Sequence, residues 1–398
     1  MPPHESLDPL RAYADVLVRV GVNLQPGQGL LLTEPFELQG VARSSAGLVD
    51  AVIDAATAVG GGPVEVIWAD ERRLVAAAQA WPDADFERIL AANARRMHDQ
   101  VMAGGALLFL QGSHPHLMDG VSPDRVARLR ERCWQYYGPV AALLVRGETN
   151  WSVAPAPTRE WAAVLRPAGD VGADAIEPAL DRLWRIVFAA CRTGGPDAVA
   201  AWRTHLGRLA GWRADLDDRA ARAVRFRGPG TNLVVGLARG HCWCTAALRS
   251  RAGVPFVANL PTEEVFTAPD RGSAEGVVRV ARPIAYGGAV IDGIELEFRG
   301  GEVVRARART GHELLWRILK TDGGSARLGE VALIIDRDGP LARAGTWFHH
   351  TLLDENTLPH IALGDGYPFS VHDAREPGLN HSLVHLDLPI EAEVDIAG

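Results

Sequence analysis

Ile294-Glu-Leu-Glu-Phe298-Arg-Gly-Gly301-Glu302-Val-Val-Arg-Ala-Arg-Ala308 decides how the second half of the chain folds. Ile294, Leu296 and Phe298 alternate with Glu295 and Glu297, the period of a strand with one dry and one wet face. Gly300-Gly301 then offers a two-residue hairpin turn, because glycine tolerates positive φ. Runs of the same texture lie on either side, among them Asn232-Leu-Val-Val235 and Val277-Val-Arg-Val280, with Gly287-Gly288 as a further break. One helix, His312 to Lys320, interrupts them. From about Arg225 onward the sequence therefore predicts antiparallel strands in an α+β arrangement.

The first half has a different rhythm. Leu7 to Val20 carries Leu10, Tyr13, Ala14, Leu17 and Val18 on one helical face. Short apolar runs at Gly29–Thr33, Val64–Trp68, Ala106–Leu110 and Ala141–Val145 alternate with helical segments such as Leu48–Val59. That alternation predicts an open, mostly parallel α/β sheet covered on both faces. Gly60-Gly-Gly62 follows a helix and precedes a strand, so it is a helix stop; a phosphate-binding loop would follow a strand and open a helix. Asn150-Trp-Ser-Val-Ala-Pro155 is extended, and Pro167 to Pro178 forms a loop. Helices are predicted at Leu180–Arg192, Ala198–Ala210 and Asp215–Ala223. The expected organisation is an N-terminal α/β domain over 1–190, a helical connection over 191–224 and a C-terminal domain over 225–398.

Composition narrows the function. At 398 residues, two domains are the prior. Forty-one basic against 49 acidic residues give a net charge of −8, and without a basic run nucleic acid is not implied. The longest apolar runs are far too short to span a membrane. Met1-Pro-Pro-His-Glu-Ser6 lacks the pattern of a signal peptide, so a cytoplasmic location is expected. The four cysteines, Cys133, Cys191, Cys242 and Cys244, have no zinc-site spacing. Reduced thiols are the simple reading.

The chemistry gathers near the C-terminus. His385 and Asp387 lie two apart in a strand-like run (Leu383, Val384, Leu386, Leu388) that puts both on one face. An imidazole beside a carboxylate suits Zn, Co, Mn or Fe. Glu263 and Glu264, Glu330, Glu355 and His360 add further ligand types in apolar settings. On a regular helix Glu355 and His360, five apart, would splay by about 140°. Pro359 also disfavours helix at Leu358, so the pair is placed on a bent loop. Six donors exceed the three protein ligands of a usual catalytic zinc and suit two adjacent metals. Such a pair polarises a carbonyl and makes hydroxide from water at neutral pH.

These motifs resemble peptidase family M29, the thermophilic metalloaminopeptidases of the aminopeptidase T and aminopeptidase S type. The resemblance runs through Asn259-Leu-Pro-Thr-Glu-Glu-Val-Phe-Thr-Ala-Pro269, Leu328-Gly-Glu-Val-Ala-Leu333 and Thr351-Leu-Leu-Asp-Glu-Asn356. It continues through His360, Tyr367, Gly378-Leu-Asn380 and His385-Leu-Asp387, and covers nearly the whole chain. It implies a pair of divalent ions, Zn or Co with Mn as a further option, and a homodimer acting on a peptide or small aminoacyl amide. Glu264, Glu330, Glu355, His360, His385 and Asp387 become the metal ligands. Tyr367 becomes a donor to substrate or intermediate. Glu263 either points away or acts as base. Two rivals stay open: a mononuclear Fe(II) ring-cleaving dioxygenase using His360, His385 and Asp387, and a non-catalytic binding protein. The dioxygenase would leave Glu264, Glu330 and Glu355 as unpaired anions.

Overall fold

A computed structural model of the chain describes residues 7–397, except 36, 81, 113–115, 167–171, 287–288 and 374. The turn expected at Gly287-Gly288 and the start of the loop at Pro167 lie outside the described residues. The chain forms two compact units, Met1–Leu206 with Ala247–Thr262, and Gly207–Ala246 with Glu263–Gly398.

The first unit is built on a parallel sheet. Helix α1 (Leu7–Val16) leads into a wider helical turn, Leu17–Gly21. Strand β1 (Leu30–Thr33), helix α2 (Ala46–Ala58) and strand β2 (Val64–Val66) follow. Next come α3 (Glu71–Ala80), α4 (Asp83–Met102), β3 (Ala106–Gln111), α5 (Pro123–Val145), β4 (Trp151–Pro155), α6 (Arg159–Val164) and α7 (Ile176–Ala190). The sheet order is β2-β1-β3-β4, and each pairing is parallel. Leu30, Leu32 and Leu107 to Leu110 have no exposed surface. Both sheet faces are thus covered, as near-continuous apolar strands require. The Tyr13 hydroxyl donates to the Pro155 carbonyl at 2.9 Å, fastening α1 to the end of β4.

One predicted strand was wrong. Ala141–Val145 is the last turn of α5, a helix of 23 residues capped by the Ser122 hydroxyl with Pro123 behind it. A short apolar run does not distinguish buried helix from strand. The fourth strand is instead Trp151–Pro155, within the segment the sequence marked as extended. The two helices expected at Ala198–Ala210 and Asp215–Ala223 are one, α8 (Ala198–Asp218), because no glycine or proline pair interrupts 211–214 strongly enough to stop it.

The second unit carries β5 (Ala223–Gly228) and β6 (Thr231–Gly236); β7 (Ala247–Arg249) and β8 (Pro255–Val257) belong to the first. Then come β9 (Glu264–Thr267), β10 (Glu275–Arg279), β11 (Ile284–Tyr286), β12 (Ala289–Ile291), β13 (Glu295–Arg299), β14 (Glu302–Arg307) and α9 (His312–Leu319). The chain ends with β15 (Leu328–Ile334), α10 (Pro340–Arg343), α11 (Thr351–Glu355), β16 (His360–Gly364), β17 (His385–Pro389) and β18 (Glu393–Ala397). Six strands form a sheet in the order β14-β13-β10-β6-β5-β18, and its described pairings are antiparallel. The β13–β14 hairpin turns through Gly300 and Gly301, whose φ values of 56° and 76° meet the demand of a two-residue turn. Leu296 and Phe298 are buried while Glu295 is exposed. A second sheet, β17-β16-β15-β9, is antiparallel throughout and holds the chemistry.

Candidate metal centre

Register alone brings five of the six expected ligands to one face of this sheet. Glu264 on β9 pairs with Ile334 of β15, and Phe266 with Ala332. Ala332 in turn pairs with His360 at the start of β16, and Glu330 with Ala362. Ala362 pairs with Asp387 of β17, and Gly364 with His385. Since side chains alternate with period 2, Glu264, Phe266, Glu330, Ala332, His360, Ala362, His385 and Asp387 share that face. The opposite face takes Val265, Val331, Leu333, Ile361, Leu363, Leu386 and Leu388, all buried. Small residues sit among the ligands: Ala332 and Ala362 leave room above the strands.

Gly364 ends β16 with φ of 100°, and a Cβ there would strike the Val384 carbonyl. Glycine is thus required where β17 enters the sheet one residue before His385.

Glu355 arrives from outside the sheet. It is the last residue of α11, and the chain then bends through 356–359 into His360. The bent-loop placement is therefore half right: a short helix ends at Glu355 and a strand begins at His360. Asp354 shapes this corner. Its carboxylate accepts from the Phe348 and His350 amides at 2.7 and 2.9 Å, fixing the start of α11. Asn356 continues the corner: its Oδ1 accepts the Glu263 amide at 2.7 Å and its Nδ2 donates to the Leu352 carbonyl at 2.8 Å. Asp354 and Asn356 were not singled out for a role from sequence; their placement on either side of Glu355 was the available signal.

The donor atoms converge. One donor atom each from Glu264, Glu330 and His360 lie within 4.8 Å of one another, and all three residues are buried. His360 Nε2 is 3.6 Å from Glu264 Oε2 and 3.5 Å from Glu330 Oε1. His385 Nε2 is 3.7 Å from the other Glu330 oxygen and 3.3 Å from Asp387 Oδ1. Glu355 shares a hydrogen bond with Asp387. Glu330 thus stands between two groups, Glu264 with His360 on one side and His385 with Asp387 on the other. Both rings are held from behind. His385 Nδ1 lies 3.0 Å from the Asp365 carbonyl and His360 Nδ1 3.4 Å from that of Leu358. A backbone carbonyl behind Nδ1 sets the tautomer that leaves Nε2 free to ligate.

Electrostatics describe a site over-supplied with negative charge. Burial raises the Glu264 carboxyl to about 7, with Glu330 and Asp387 reinforcing the rise and His360 opposing it. Burial, then the charges of Asp387, Glu264 and Glu330, hold Glu355 well above the ordinary carboxylate range. For His360 and His385 burial acts downward, but the carboxylates around them prevail and raise them to about 9 and about 10. Asp387 goes the other way: burial would raise it, yet His385 and His360 hold it at about 2. Four buried carboxylates and two inward Nε2 atoms are the hard-to-borderline donor set of a divalent ion.

Tyr367 stands beside this cluster, its ring 5.1 Å from that of His385, 5.7 Å from Phe266 and stacked at 5.1 Å on Phe369. Burial, and then the neighbouring carboxylates, raise its phenol far above the ordinary value, so it remains a proton donor. Glu263 is buried just before β9; its amide goes to Asn356 and its carbonyl receives the Ile335 amide at 2.9 Å.

A mixed α/β fold with a buried carboxylate–imidazole cluster on an antiparallel sheet offers a donor set that could hold a metal ion. The family model of thermophilic metalloproteases, Peptidase_M29, matches residues 7–398. Aminopeptidase T of Thermus thermophilus is 37% identical over 98% of this chain and 94% of its own length. Aminopeptidase 2 of Geobacillus stearothermophilus is 35% identical over 98% and 93%. The solved structure of wild-type AmpT from Thermus thermophilus superposes with a TM-score of 0.87 at 36% identity, covering 98% of this chain and 95% of that one. The chain belongs to peptidase family M29, and the mixed α/β fold read from its sequence is the AmpT fold.

Proposed function

We propose that this chain is a metal-dependent aminopeptidase whose six donors, Glu264, Glu330, Glu355, His360, His385 and Asp387, hold two divalent ions. The observation that carries the reading is the register of β17-β16-β15-β9, which gathers five donors on one face with Glu330 shared between two imidazoles. Membership of M29 and relatives called aminopeptidases support the reaction. Zinc, cobalt and manganese all suit the donors. A dioxygenase triad of His360, His385 and Asp387 leaves three buried glutamates without a partner cation, and a silent binding protein has no use for the full set.

When bound, the ions supply Lewis acidity to a scissile carbonyl and a nucleophile drawn from water at neutral pH. The chain's own residues do the rest. A buried carboxylate at the start of β9, Glu263 or Glu264, carries the proton from the attacking water to the leaving amine. The Tyr367 phenol donates to the oxygen on which negative charge develops. Phe266 and Phe369 flank that phenol and keep water from its ring. The substrate is the N-terminal residue of a peptide, or a small aminoacyl amide. A homodimer in the cytoplasm is the proposed working form.

The test is a panel of aminoacyl-anilides. Hydrolysis should require a free α-amine, stop with a chelator and return when Co, Zn or Mn is restored. Equal rates on N-acetylated substrates, or with chelator present, would remove the proposal.

A further inference from the structure

One pair of nucleophiles has no part in the mechanism above. Cys242 and Cys244 flank Trp243, whose ring is buried on the other side, so the two sulfurs share one side of the chain. Both sulfurs lie within hydrogen-bonding reach of the same acceptor, the Phe369 carbonyl, at 3.5 and 3.4 Å, and of each other, so two S–H protons are shared among these contacts. Both are only half-buried, and among the described residues neither is in a disulfide.

Their segment is woven between two parts of the candidate site. Cys244 exchanges amide and carbonyl with Phe266 of β9, at 2.7 and 3.0 Å. The Cys242 amide donates to the Ser370 carbonyl at 2.9 Å. The Cys242 carbonyl accepts the Thr267 hydroxyl at 2.9 Å. Phe369 stacks on Tyr367, which packs on His385. Anything that moves the two sulfurs therefore pulls on the strand of Glu264 and on the segment of Tyr367.

We propose that Cys242 and Cys244 are a redox-active dithiol, which a low-molecular-weight disulfide such as oxidised glutathione converts to an intrachain disulfide, and that the oxidised pair slows catalysis by displacing Tyr367–Phe369. The kinetic half rests on the aminopeptidase reading; the bond itself does not. The Cys242 thiolate attacks one glutathione sulfur, that S–S bond breaks, and one glutathione leaves. Cys244 then displaces the second glutathione from Cys242. Two protein thiols are oxidised by two electrons, one disulfide is reduced to two thiols, and both protons end on glutathione. Cys242 suits the attacking role: the hydrogen bond from Cys244, then the nearby His372 and Arg213, outweigh burial and lower it to about 7. Cys133, which burial raises to about 11, and the buried Cys191 are poor competitors.

Oxidation removes the S–H donation to the Phe369 carbonyl. It also shortens the chain, since two extended residues span about 6.6 Å, at the upper end of the ~4.4–6.8 Å between Cα atoms that a disulfide bridges. A ring this small is strained, which makes it readily reduced again, the property of a regulatory bond.

The experiment treats the metal-loaded full chain with oxidised glutathione, alkylates free thiols and maps peptides by mass. Cys242 and Cys244 should be joined, with Cys133 and Cys191 alkylated after unfolding. The anilide kcat should fall about 10–100-fold, the scale of an ångström-sized misplacement, and recover with dithiothreitol. The double variant Cys242→Ser with Cys244→Ser should keep its kcat in oxidant. Thiols that stay free, a disulfide with unchanged kcat, or an equal loss in the double-serine variant each overturn the proposal. A chain that hydrolyses no anilide at all refutes the aminopeptidase reading instead, and the peptide map still judges the bond.

Discussion

His360 and His385 show how the backbone aims a single side chain. Each ring has a backbone carbonyl behind Nδ1, and each Nε2 faces Glu330. Their convergence on Glu330 was foreshadowed in the sequence because imidazoles in apolar settings announce burial. Asp354 and Asn356 were not, because a buried carboxylate that caps a helix and an amide that receives Glu263 look like any polar corner until the corner is folded. Tyr367 is the residue on which the proposed chemistry turns. A phenol held protonated beside four carboxylates is a donor and a poor ligand. Tyr367→Phe should therefore lower kcat by roughly 10²–10³, the cost of one oxyanion donor, with bound metal unchanged. An unchanged kcat at full metal would reduce Tyr367 to a packing role.

The sheet β17-β16-β15-β9 is the element that makes the site. Its alternation was visible in His385-Leu-Asp387, where two proposed ligands skip one apolar residue. The partners across the strands were not visible, because register depends on where β15 and β16 begin, and a bulge between Leu328 and Glu330 shifts it. The misplaced fourth strand has a similar cause: Ala141–Val145 is apolar enough for either element, and only the 23-residue reach of α5 decides it. Ala362 has no exposed surface and pairs on one side with Glu330 and on the other with Asp387. Ala362→Leu would insert an isobutyl group among the donors, at an overpacking cost of about 1–3 kcal/mol. The variant should bind markedly less metal than the parent when both are titrated with Co and followed by absorbance. Parent-like binding would show that the face has space to spare and that Ala362 does not guard it.

At the scale of the molecule, the cluster links stability to pH, with a sign that depends on metal. Without metal, His360 and His385 titrate near 9 and 10. An unfolded imidazole titrates near ~6.5, so their stabilisation is full below that value and is lost as pH rises through 9 and 10. Glu264 acts in the same direction, holding to about 7 a proton that an ordinary glutamate would release near 4.5. Asp387 opposes this only in acid. The chelated chain should thus have a lower thermal midpoint near pH ~9 than near pH ~6. Divalent ions bind the deprotonated donors, so the stabilisation they add should grow over the same interval. Melting curves with and without chelator at both pH values test this; parallel shifts would mean that the six donors do not exchange protons for metal.

If these six side chains form one two-ion centre, counting bound ions reveals it. The chain would be purified without chelator, dialysed against Co or Zn and analysed for metal per polypeptide, beside Glu330→Gln. Binding should reach a plateau of about two ions per chain, with loss of both metal and anilide hydrolysis when the shared Glu330 is changed. A plateau of one ion, recovered as iron, or two ions retained in Glu330→Gln, would contradict it.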